Sequence, residues 1–353
     1  MNNRLNFDFD TTQAVIRKIG AIDGFNSRWE ATVQKESVYL KDLRRIALLK
    51  NTWAATKMTG GNLNEAEVEW VIKSAKKNRL ESREEQIAAG YYETLNIVLN
   101  QYKTLQTTEQ NILTLHDQLL QFDEQERLQK GQYKTEANPL YAIYPDGTKR
   151  ELFKTADPKQ VNNDLKTAIA WLKQVLEQKT IHPLLAIGAF QYEFLCIHPF
   201  QSGNGRLSRL LTILLSLQNG YTFMYSAAFE QAIENKRLDY FKALRNSQKH
   251  RGTEKEIIGE WMLFFLETLE SLTMQLDEKY RKWQTPGNYL SERQKKVKEY
   301  IGKHQPVKAG DLQKALPEIL LSNLRKDLQY LVNAKEIEKI GTLKSTIYIA
   351  AEK

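Results

Sequence analysis

The chain has 353 residues, of which 41% are hydrophobic and 27% charged, and its formal net charge is +8. This length predicts two or three globular domains, and the positive charge favours a polyanionic partner. No apolar run approaches the length of a membrane span, and the N-terminal residues lack the apolar core of a secretory signal. We therefore expect a cytoplasmic protein that does not associate with membranes.

Cysteine and histidine usage bears on two further classes of site. Cys196 is the only cysteine, which excludes an intrachain disulfide. Its neighbours Leu195 and Ile197 are apolar and predict a small buried core residue, with a Cys–His nucleophile pair as the alternative. No histidine pair or carboxylate–histidine cluster has the spacing of metal ligands.

The first third of the chain is predicted to be helical. Apolar residues recur at helical spacing from about residue 25 to residue 130, and Asn64 followed by Glu67 is typical of a capped helix start. Gly60 and Gly61 predict the end of the preceding helix. We assign residues 1–110 to an N-terminal helical region that packs on the following domain.

Residues 139–156 are predicted to form a β-hairpin. Two β-prone runs flank Pro145-Asp146-Gly147, in which proline presets the first turn torsion and glycine accepts a positive one. A surface hairpin without further role is one interpretation. The other is a docking site, because an exposed strand edge permits strand addition by a bound peptide.

Residues 161–176, 184–197 and 261–276 are predicted to be helices with apolar stripes. Pro199 ends the second of them, and a leucine-rich helix begins at Asn204 or Gly205. The glycine-rich turn between these two helices therefore opens onto a helix N-terminus. Free backbone N–H groups and the positive end of the helix dipole make such a turn an anion site.

Two arginines and a histidine in or next to this turn are candidates for phosphate binding and proton transfer. Arg206 and Arg209 lie three residues apart on one helical face, which suits a grip on polyphosphate. His198 would sit beside the bound phosphate, where a group with a pKa near neutrality can act as a general base. The alternative is a simple connecting turn with a capping or core histidine.

The segment from His198 to Arg209 resembles the signature of the Fic family, His-x-Phe-x-(Asp/Glu)-Gly-Asn-Gly-Arg-x-x-Arg. The resemblance implies a mainly α-helical Fic-type bundle with a β-hairpin flap, over residues 111–276. It also implies transfer of AMP from ATP to a hydroxyl side chain of a target protein, with His198 as general base. The implied nucleotide- and phosphate-binding residues are Phe200, Gly203, Asn204, Gly205, Arg206, Arg209, Asn235 and Tyr240. Tyr240 and Phe241 fit a core position equally well.

Ser202 departs from the signature, since the family usually has an acidic residue there that coordinates Mg²⁺ across the α- and β-phosphates. Mg²⁺ prefers carboxylate oxygens, so the serine hydroxyl is a poor replacement. Nucleotide binding is therefore better supported than efficient AMP transfer. Gly205 separates the chain from the Doc-type branch, which carries lysine there and phosphorylates its target.

Two upstream segments extend the resemblance. Residues 55–62 resemble the family's inhibitory helix, (Ser/Thr)-x-x-x-Glu-(Gly/Asn), with Ala55 at the hydroxyl position and Thr59 at the glutamate position. The resemblance implies that the inhibitory glutamate is absent and Arg209 free for a γ-phosphate; a plain helix stop is the alternative. Residues 131–134, Gly-Gln-Tyr-Lys, resemble a Gly-x-Tyr-Arg element that precedes the flap, on which the target protein docks.

Residues 277–288, which include Pro286 and Gly287, are predicted to be a linker. Residues 289–353 predict three short helices and two strands around Gly341, a pattern that resembles a winged helix. In the DNA-binding version the third helix enters the major groove. The candidate DNA-binding residues are Asn323, Arg325, Lys326, Gln329, Lys339 and Lys344. Asp327 and Glu338 lie near this surface in the sequence and favour the alternative, a protein-interaction module.

Two functions therefore compete. The first is a Fic-type protein adenylyltransferase with ATP as donor, Mg²⁺ as cofactor and a target protein docked on the flap. The second is a nucleotide-binding regulator with a catalytically degenerate Fic domain that binds duplex DNA.

Overall fold

The architecture is mainly α-helical, with two short antiparallel hairpins. We describe it from a computed structural model, which describes residues 2–33, 38–74, 80–143, 149–153, 155–284, 290–341 and 346–351. The chain divides into two compact units, Met1–Glu36 with Leu43–Thr273 and Ser37–Asp42 with Met274–Lys353. The predicted mainly helical fold is confirmed. Over the ranges just given, no helix combines the length and apolarity needed to cross a bilayer.

The elements up to the end of the eleventh helix are α1 (Phe9–Val33), α2 (Val38–Met58), α3 (Glu65–Ser74), α4 (Arg83–Gln101), α5 (Glu109–Leu119), β1 (Leu140–Ile143), β2 (Lys149–Phe153), α6 (Val161–Glu177), α7 (Pro183–Ile197), α8 (Asn204–Gln218), α9 (Phe229–Asn235), α10 (Arg237–Ser247) and α11 (Gly259–Gln284). The remaining elements are α12 (Glu292–His304), α13 (Ala309–Ala315), α14 (Leu321–Asn333), β3 (Ile337–Ile340) and β4 (Ile347–Ala350).

The helical N-terminal region differs from the prediction at its two ends. Helix α1 begins before residue 25, because Asp8 Oδ1 accepts a hydrogen bond from the Thr11 backbone N–H at 2.7 Å and caps it. Residues 120–130 are turns after α5, not helix. The helix stop at Gly60 is confirmed, since α2 ends at Met58 and Gly60 has φ 90°.

Helix α7 is the centre of the first unit. Every residue from Ala186 to Ile197 is buried, as expected for a helix that is apolar on all sides, and α7 packs against α6 and α8. Cys196 lies in this core, where Gln248 Nε2 is 2.8 Å from its Sγ. Burial raises the pKa of the thiol to about 12, so Cys196 is a core residue and not an activated nucleophile.

Helix α4 is positioned by its cap and by one glycine. The Ser82 hydroxyl accepts from the Glu85 N–H at 3.1 Å, while the Glu85 carboxylate accepts from the Ser82 N–H. At Gly90 a Cβ atom would lie 2.3 Å from the Leu119 carbonyl oxygen. Only glycine permits this approach of α4 to the end of α5, which brings the first turn of α4 to the site described below.

The structure contains the two strands of the hairpin predicted between the N-terminal region and α6. Strands β1 and β2 pair antiparallel, with Leu140 opposite Phe153 and Ile143 opposite Lys149. Its turn, residues 144–148, lies outside the described residues and includes the predicted Pro145-Asp146-Gly147.

Helix α11 runs farther than the sequence predicted. It continues to Gln284, so most of the segment predicted as a linker, residues 277–288, is helical. Ion pairs one turn apart support this extension, Asp277 with Arg281 at 2.7 Å and Glu278 with Lys282 at 2.6 Å. Residues 285–289, which carry the proline–glycine turn signal, lie outside the described residues.

The second unit has the predicted order of three helices and an antiparallel hairpin, β3 with β4. Its core is aliphatic and includes Val297, Leu324 and Leu328. Asp327 was expected near the outer face of α14 but is 3% exposed and paired with Arg293, whose Nη2 donates to Oδ1 at 2.9 Å. The assignment of this unit to the winged-helix class stays a prediction.

Candidate functional site

The turn between α7 and α8 combines two left-handed residues. His198 caps α7 with φ 50° and ψ 63°, a conformation that costs a non-glycine residue about 1–2 kcal/mol. Gly203 has φ 77° and caps the start of α8. The N–H groups of residues 204–206 precede the first intrahelical hydrogen bond, which Leu207 donates to the Gly203 carbonyl at 2.9 Å. The predicted helix N-terminus at Asn204 is confirmed.

Asn204 holds the turn closed. Its Oδ1 accepts from the Phe200 backbone N–H at 2.9 Å, and its Nδ2 donates to the Phe200 carbonyl at 2.6 Å. The side chain is 1% exposed. Asn204 therefore shapes the turn through its amide, and only its backbone N–H is left for an anion.

Phe200 and His116 support the turn from below. The two rings stack with centroids 3.7 Å apart, and both side chains are fully buried. The Gly131 N–H donates to His116 Nδ1 at 3.0 Å, which places the ring proton on Nε2, 3.1 Å from the Ser202 carbonyl. Burial lowers the pKa of His116 to about 4, so this hydrogen bond persists at neutral pH.

His116 was not among the predicted site residues. The available signal was its position on the buried face of α5, with Ile112 and Leu119 four and three residues away. That spacing predicts a core histidine and does not identify its partner.

His198 is half-buried and its ring is oriented by one hydrogen bond. Nδ1 lies 3.3 Å from the Leu195 carbonyl, so Nδ1 carries the proton and Nε2 is the free acceptor. Burial lowers the pKa of His198 to about 4, and the Lys134 charge lowers it further against the favourable Leu195 hydrogen bond. The ring is thus neutral at pH 7 and able to accept a proton.

A cavity of about 510 Å³ opens over this turn, and we call it the motif cavity. Residues from α4, α7, α8, α10 and the end of α2 line it: Met58, Thr59, Gly60, Gly61, Arg83, Glu84, Ile87, Leu195, His198, Ser202, Gly203, Asn204, Gly205, Arg206, Arg209, Tyr240, Phe241 and Leu244. The structure therefore brings together most of the predicted site residues. Thr59, which was predicted at the position of the family's inhibitory glutamate, lies in the same wall, where its hydroxyl donates to the Thr56 carbonyl at 2.7 Å.

Arg206 is a buried cation without a counter-ion in the described ranges. It is 5% exposed, and its Nη1 has no hydrogen-bond partner there. Burial lowers the pKa of Arg206 to about 10, although the Asp123 charge opposes the shift. The guanidinium is still protonated at pH 7, and a buried unpaired charge is favourable only when an anion reaches it. The sequence-based expectation that Arg206 binds an anion in the motif cavity therefore stays a prediction.

Arg209 is not free, contrary to the prediction from residues 55–62. Its Nε and Nη2 lie 2.7 Å and 2.5 Å from Glu230 Oε1, and the two side chains are 3% and 0% exposed. Burial acts to lower the pKa of Arg209, but the Glu230 carboxylate outweighs this effect and raises that pKa above its usual range. Glu230 also accepts from the Tyr91 hydroxyl at 3.3 Å, and its N–H donates to Asn51.

The carboxylate that pairs with Arg209 therefore comes from α9, after the motif, and not from α2. Nothing in the local sequence around Glu230 indicates this contact. At Gly205 a Cβ atom would lie 3.1 Å from Arg209 Nη1, so the glycine also gives the guanidinium its room.

The oxygen ligands on the cavity wall fit Mg²⁺ poorly. Ser202 Oγ is buried and has no hydrogen-bond partner in the described part of the chain, but it is a neutral hydroxyl. Among the described lining residues the carboxylate is Glu84, whose Oε2 already accepts from the Asn62 N–H at 3.1 Å. Within the same ranges, no group of three His, Cys, Asp or Glu side chains could hold a metal ion.

Of the residues predicted to bind the nucleotide, some line the motif cavity and others do not. Tyr240 is 2% exposed and lines the motif cavity with Phe241, and the Arg209 guanidinium carbon lies 6.0 Å from its ring centroid. Asn235 is exposed at the end of α9 and is not a lining residue. Phe200 is likewise not a lining residue; it acts beneath the turn.

In the second unit, a groove of about 750 Å³ runs between α13, α14 and the hairpin, and we call it the basic groove. Of the predicted DNA-binding residues, Arg325, Gln329 and Lys339 line it, whereas Asn323 and Lys326 do not. Lys308, the N-cap of α13, and Lys314, on α13, also line it; they were missed because they lie outside the predicted recognition helix. Lys344 lies outside the described residues.

Comparison with known proteins identifies a family domain in this chain and shows that its fold is shared. Residues 106–216 match the Fic/DOC family. A 69-residue segment is 33% identical to Protein adenylyltransferase fic-1 of Caenorhabditis elegans, a match that covers 20% of this chain and 13% of that relative.

Three solved structures share the fold. A Fic family protein from Desulfovibrio desulfuricans G20 has a TM-score of 0.68 at 20% identity and covers 96% of both chains. A Fic domain containing signaling protein from Bacteroides thetaiotaomicron VPI-5482 has a TM-score of 0.57 at 18% identity, over 72% of this chain and 93% of that one. Fic-1 from C. elegans has a TM-score of 0.58 at 17% identity, over 77% and 73%. The predicted Fic/DOC family domain is therefore confirmed at residues 106–216.

Proposed function

We propose that this chain transfers the AMP group of ATP to a hydroxyl side chain of a target protein, with His198 as general base. The observation that carries the proposal is the motif cavity. It brings a neutral imidazole, the open N-terminus of α8 and the uncompensated guanidinium of Arg206 to one wall. A base beside a phosphate site is the arrangement that phosphoryl or nucleotidyl transfer to a hydroxyl requires.

The proposed reaction is a substitution at the α-phosphorus of ATP. The target hydroxyl oxygen attacks the α-phosphorus of ATP and forms a new P–O bond, while the bond from the α-phosphorus to pyrophosphate breaks. His198 Nε2 accepts the hydroxyl proton, and pyrophosphate leaves. The N–H groups of residues 204–206 and Arg206 bind phosphate oxygens.

We route no step through a metal ion, because the wall offers the Ser202 hydroxyl where a carboxylate would be needed. The Arg209–Glu230 pair further limits the charge available to a triphosphate. Both features predict a slow enzyme.

A Ser202→Asp variant should increase Mg²⁺-dependent transfer at least ten-fold, measured as initial rate at saturating ATP. An unchanged rate would mean that the missing carboxylate is not what limits activity.

The test of the proposal is labelling of cell lysate with ATP carrying a radioactive α-phosphate. We expect labelled protein bands with the wild type, and at least a hundred-fold loss with His198→Ala. His250→Ala is the matched control, because His250 is exposed and outside the motif cavity. No labelling by the wild type, and no difference from His198→Ala, would rule out the catalytic role.

A second function, binding of duplex DNA, is favoured by the basic groove. Four cationic side chains line it, Lys308, Lys314, Arg325 and Lys339. The acidic side chain among the lining residues, Asp311, accepts from the Lys308 N–H at 3.3 Å and caps α13. We propose that these cations bind DNA phosphates, and that Asp327, paired with Arg293, does not oppose them.

The test is binding of the full chain to duplex DNA at several salt concentrations. Each lost phosphate contact should reduce the slope of log affinity against log salt by about 1. We expect this for Arg325→Ala and Lys339→Ala, and no change for Lys295→Ala, whose side chain pairs with Glu292 on α12. Affinity that is independent of salt and of these substitutions would exclude a DNA-binding role for the groove.

A further inference from the structure

Lys134 is a buried lysine beside the loop that carries His198. It is 3% exposed, and its Nζ donates to Asn138 Oδ1 at 2.9 Å and to Thr155 Oγ1 at 2.8 Å. A third hydrogen bond, at 3.2 Å, reaches the Ile197 carbonyl. Within the described ranges the ammonium group forms no ion pair, so its three donors are used to hold neutral oxygens.

These hydrogen bonds hold the backbone on both sides of His198. Before the histidine, Lys134 Nζ bonds the Ile197 carbonyl; after it, the Lys134 backbone N–H donates to the Pro199 carbonyl at 2.9 Å. Asn138 Nδ2 then donates to the Phe200 carbonyl at 2.7 Å. Three carbonyls that flank the histidine, those of residues 197, 199 and 200, are thereby held by Lys134 and Asn138.

The same residues belong to the two ends of the hairpin β1–β2. Asn138 precedes β1 and Thr155 follows β2, and the Thr155 hydroxyl donates to Asn138 Oδ1 at 3.0 Å. We call Lys134, Asn138 and Thr155 the Lys134 clamp. It joins the base of the hairpin to the loop of the proposed catalytic histidine.

His198 needs such support. Its left-handed backbone conformation is unfavourable for a residue with a Cβ, and within the described part of the chain its ring makes a single hydrogen bond, to the Leu195 carbonyl. A strained conformation persists only when surrounding contacts determine it. The clamp supplies these contacts, and the positive charge of Lys134 disfavours a second positive charge on the imidazole.

We propose that Lys134 is the positioning residue of this site: through its clamp it holds His198 in the left-handed conformation and keeps the imidazole neutral. The inference rests on the proposed function, because it assigns Lys134 a role toward His198 as base. Lys134 itself does not reach the motif cavity. Burial lowers the pKa of Lys134 to about 8, against the Asp157 charge, so the ammonium is protonated at pH 7.

The first experiment measures the titration of His198 by NMR in protein labelled with ¹³C,¹⁵N-histidine, and it needs no catalysis. In the wild type the midpoint should lie near 4. Lys134→Met should raise it, while burial, the larger cause, keeps it below 6.5; Lys134→Arg and the control Lys130→Met should leave it unchanged. Lys130 is a suitable control because it donates to the Gln121 carbonyl and does not contact the His198 loop. A His198 midpoint that does not move in Lys134→Met would overturn the proposal.

The second experiment separates positioning from nucleotide binding. Lys134→Met should lower kcat at least ten-fold with KM for ATP changed less than two-fold, and Lys134→Arg should restore most of kcat. An increase in KM at unchanged kcat would overturn the positioning role.

Thr155→Val removes one acceptor of Lys134 and leaves the charge in place, so it tests the clamp if Lys134→Met does not fold. It should lower kcat three- to ten-fold, and a wild-type kcat would contradict the clamp. If the wild type transfers no AMP, the proposed function fails, and the histidine titration still decides the role of Lys134.

Discussion

The motif cavity and the basic groove are both positively charged concavities, but they present charge in opposite ways. In the cavity, Arg206 and Arg209 are almost fully buried, and one of them is paired. In the groove, the four cations Lys308, Lys314, Arg325 and Lys339 are exposed. Buried charges interact strongly and are little affected by salt, whereas exposed charges are screened. The cavity therefore suits one small anion in a fixed position, and the groove suits a long polyanion held by many weak contacts.

Within the cavity, removing the charge of Arg209 should destabilise the protein much more than removing the charge of Arg206. Arg209→Met leaves the buried Glu230 carboxylate unpaired and should lower the free energy of unfolding by about 3–5 kcal/mol. Arg206→Met removes an uncompensated charge and should leave that free energy within about 1 kcal/mol of wild type. Urea denaturation of both variants measures the difference. Equal destabilisation would mean that Arg206 has a partner comparable to Glu230.

Acid should destabilise the first unit through protonation of the buried His116. Because folding lowers the pKa of His116 from 6.5 to about 4, the unfolded chain binds its proton first as the pH falls. Above pH 6.5 the titration of His116 does not reduce the free energy of unfolding. Between pH 6.5 and 4 it should reduce that free energy by about 3 kcal/mol. His116→Gln should flatten this pH dependence in urea denaturation curves, and the exposed His250→Gln should leave it unchanged.

Freeing Arg209 should make the cavity more like a triphosphate site. Glu230→Gln removes the paired carboxylate and should increase ATP affinity about ten-fold, which is about 1.4 kcal/mol, with a smaller gain for AMP. Isothermal titration calorimetry without Mg²⁺ measures both. Glu234→Gln is the matched control, since Glu234 lies on the same helix and pairs with Lys57. The same gain in the control would assign the effect to net charge and not to Arg209.

The smallest effect is expected in the groove. Lys314→Ala should weaken DNA binding of the full chain only about three-fold, or about 0.7 kcal/mol, because each exposed charge is screened. The loss should be smaller at higher salt, as measured by fluorescence anisotropy. A loss of a hundred-fold or more would show that the groove, like the cavity, depends on single charges.

Features with a local cause could be predicted from the sequence. The turn from His198 to Arg209, the helix stop at Gly60 and the strands on either side of residues 144–148 depend on residues only a few positions apart. Proline, glycine and apolar periodicity act over such distances, so their signals are readable in one sequence.

The partners of the site residues could not be predicted in this way. Glu230 reaches Arg209 from 21 residues downstream, and His116 bonds the Ser202 carbonyl from 86 residues upstream. The packing of α4, α5, α8 and α9 decides these contacts, and no spacing rule describes it. For the same reason the sequence placed Asp327 on an outer surface, whereas the structure pairs it with Arg293.

The sequence by itself determined that this chain has a glycine-rich turn at a helix N-terminus, with a histidine at one end and two arginines at the other, because backbone propensity and short-range spacing specify such a turn. Only the tertiary structure decided which charges in it remain available. It buried Arg206 without an ion pair among the residues that the structure describes, paired Arg209 with Glu230 and packed Lys134 against the His198 loop. Those outcomes depend on desolvation and on charges brought together from distant segments, which exist only after the helices have packed.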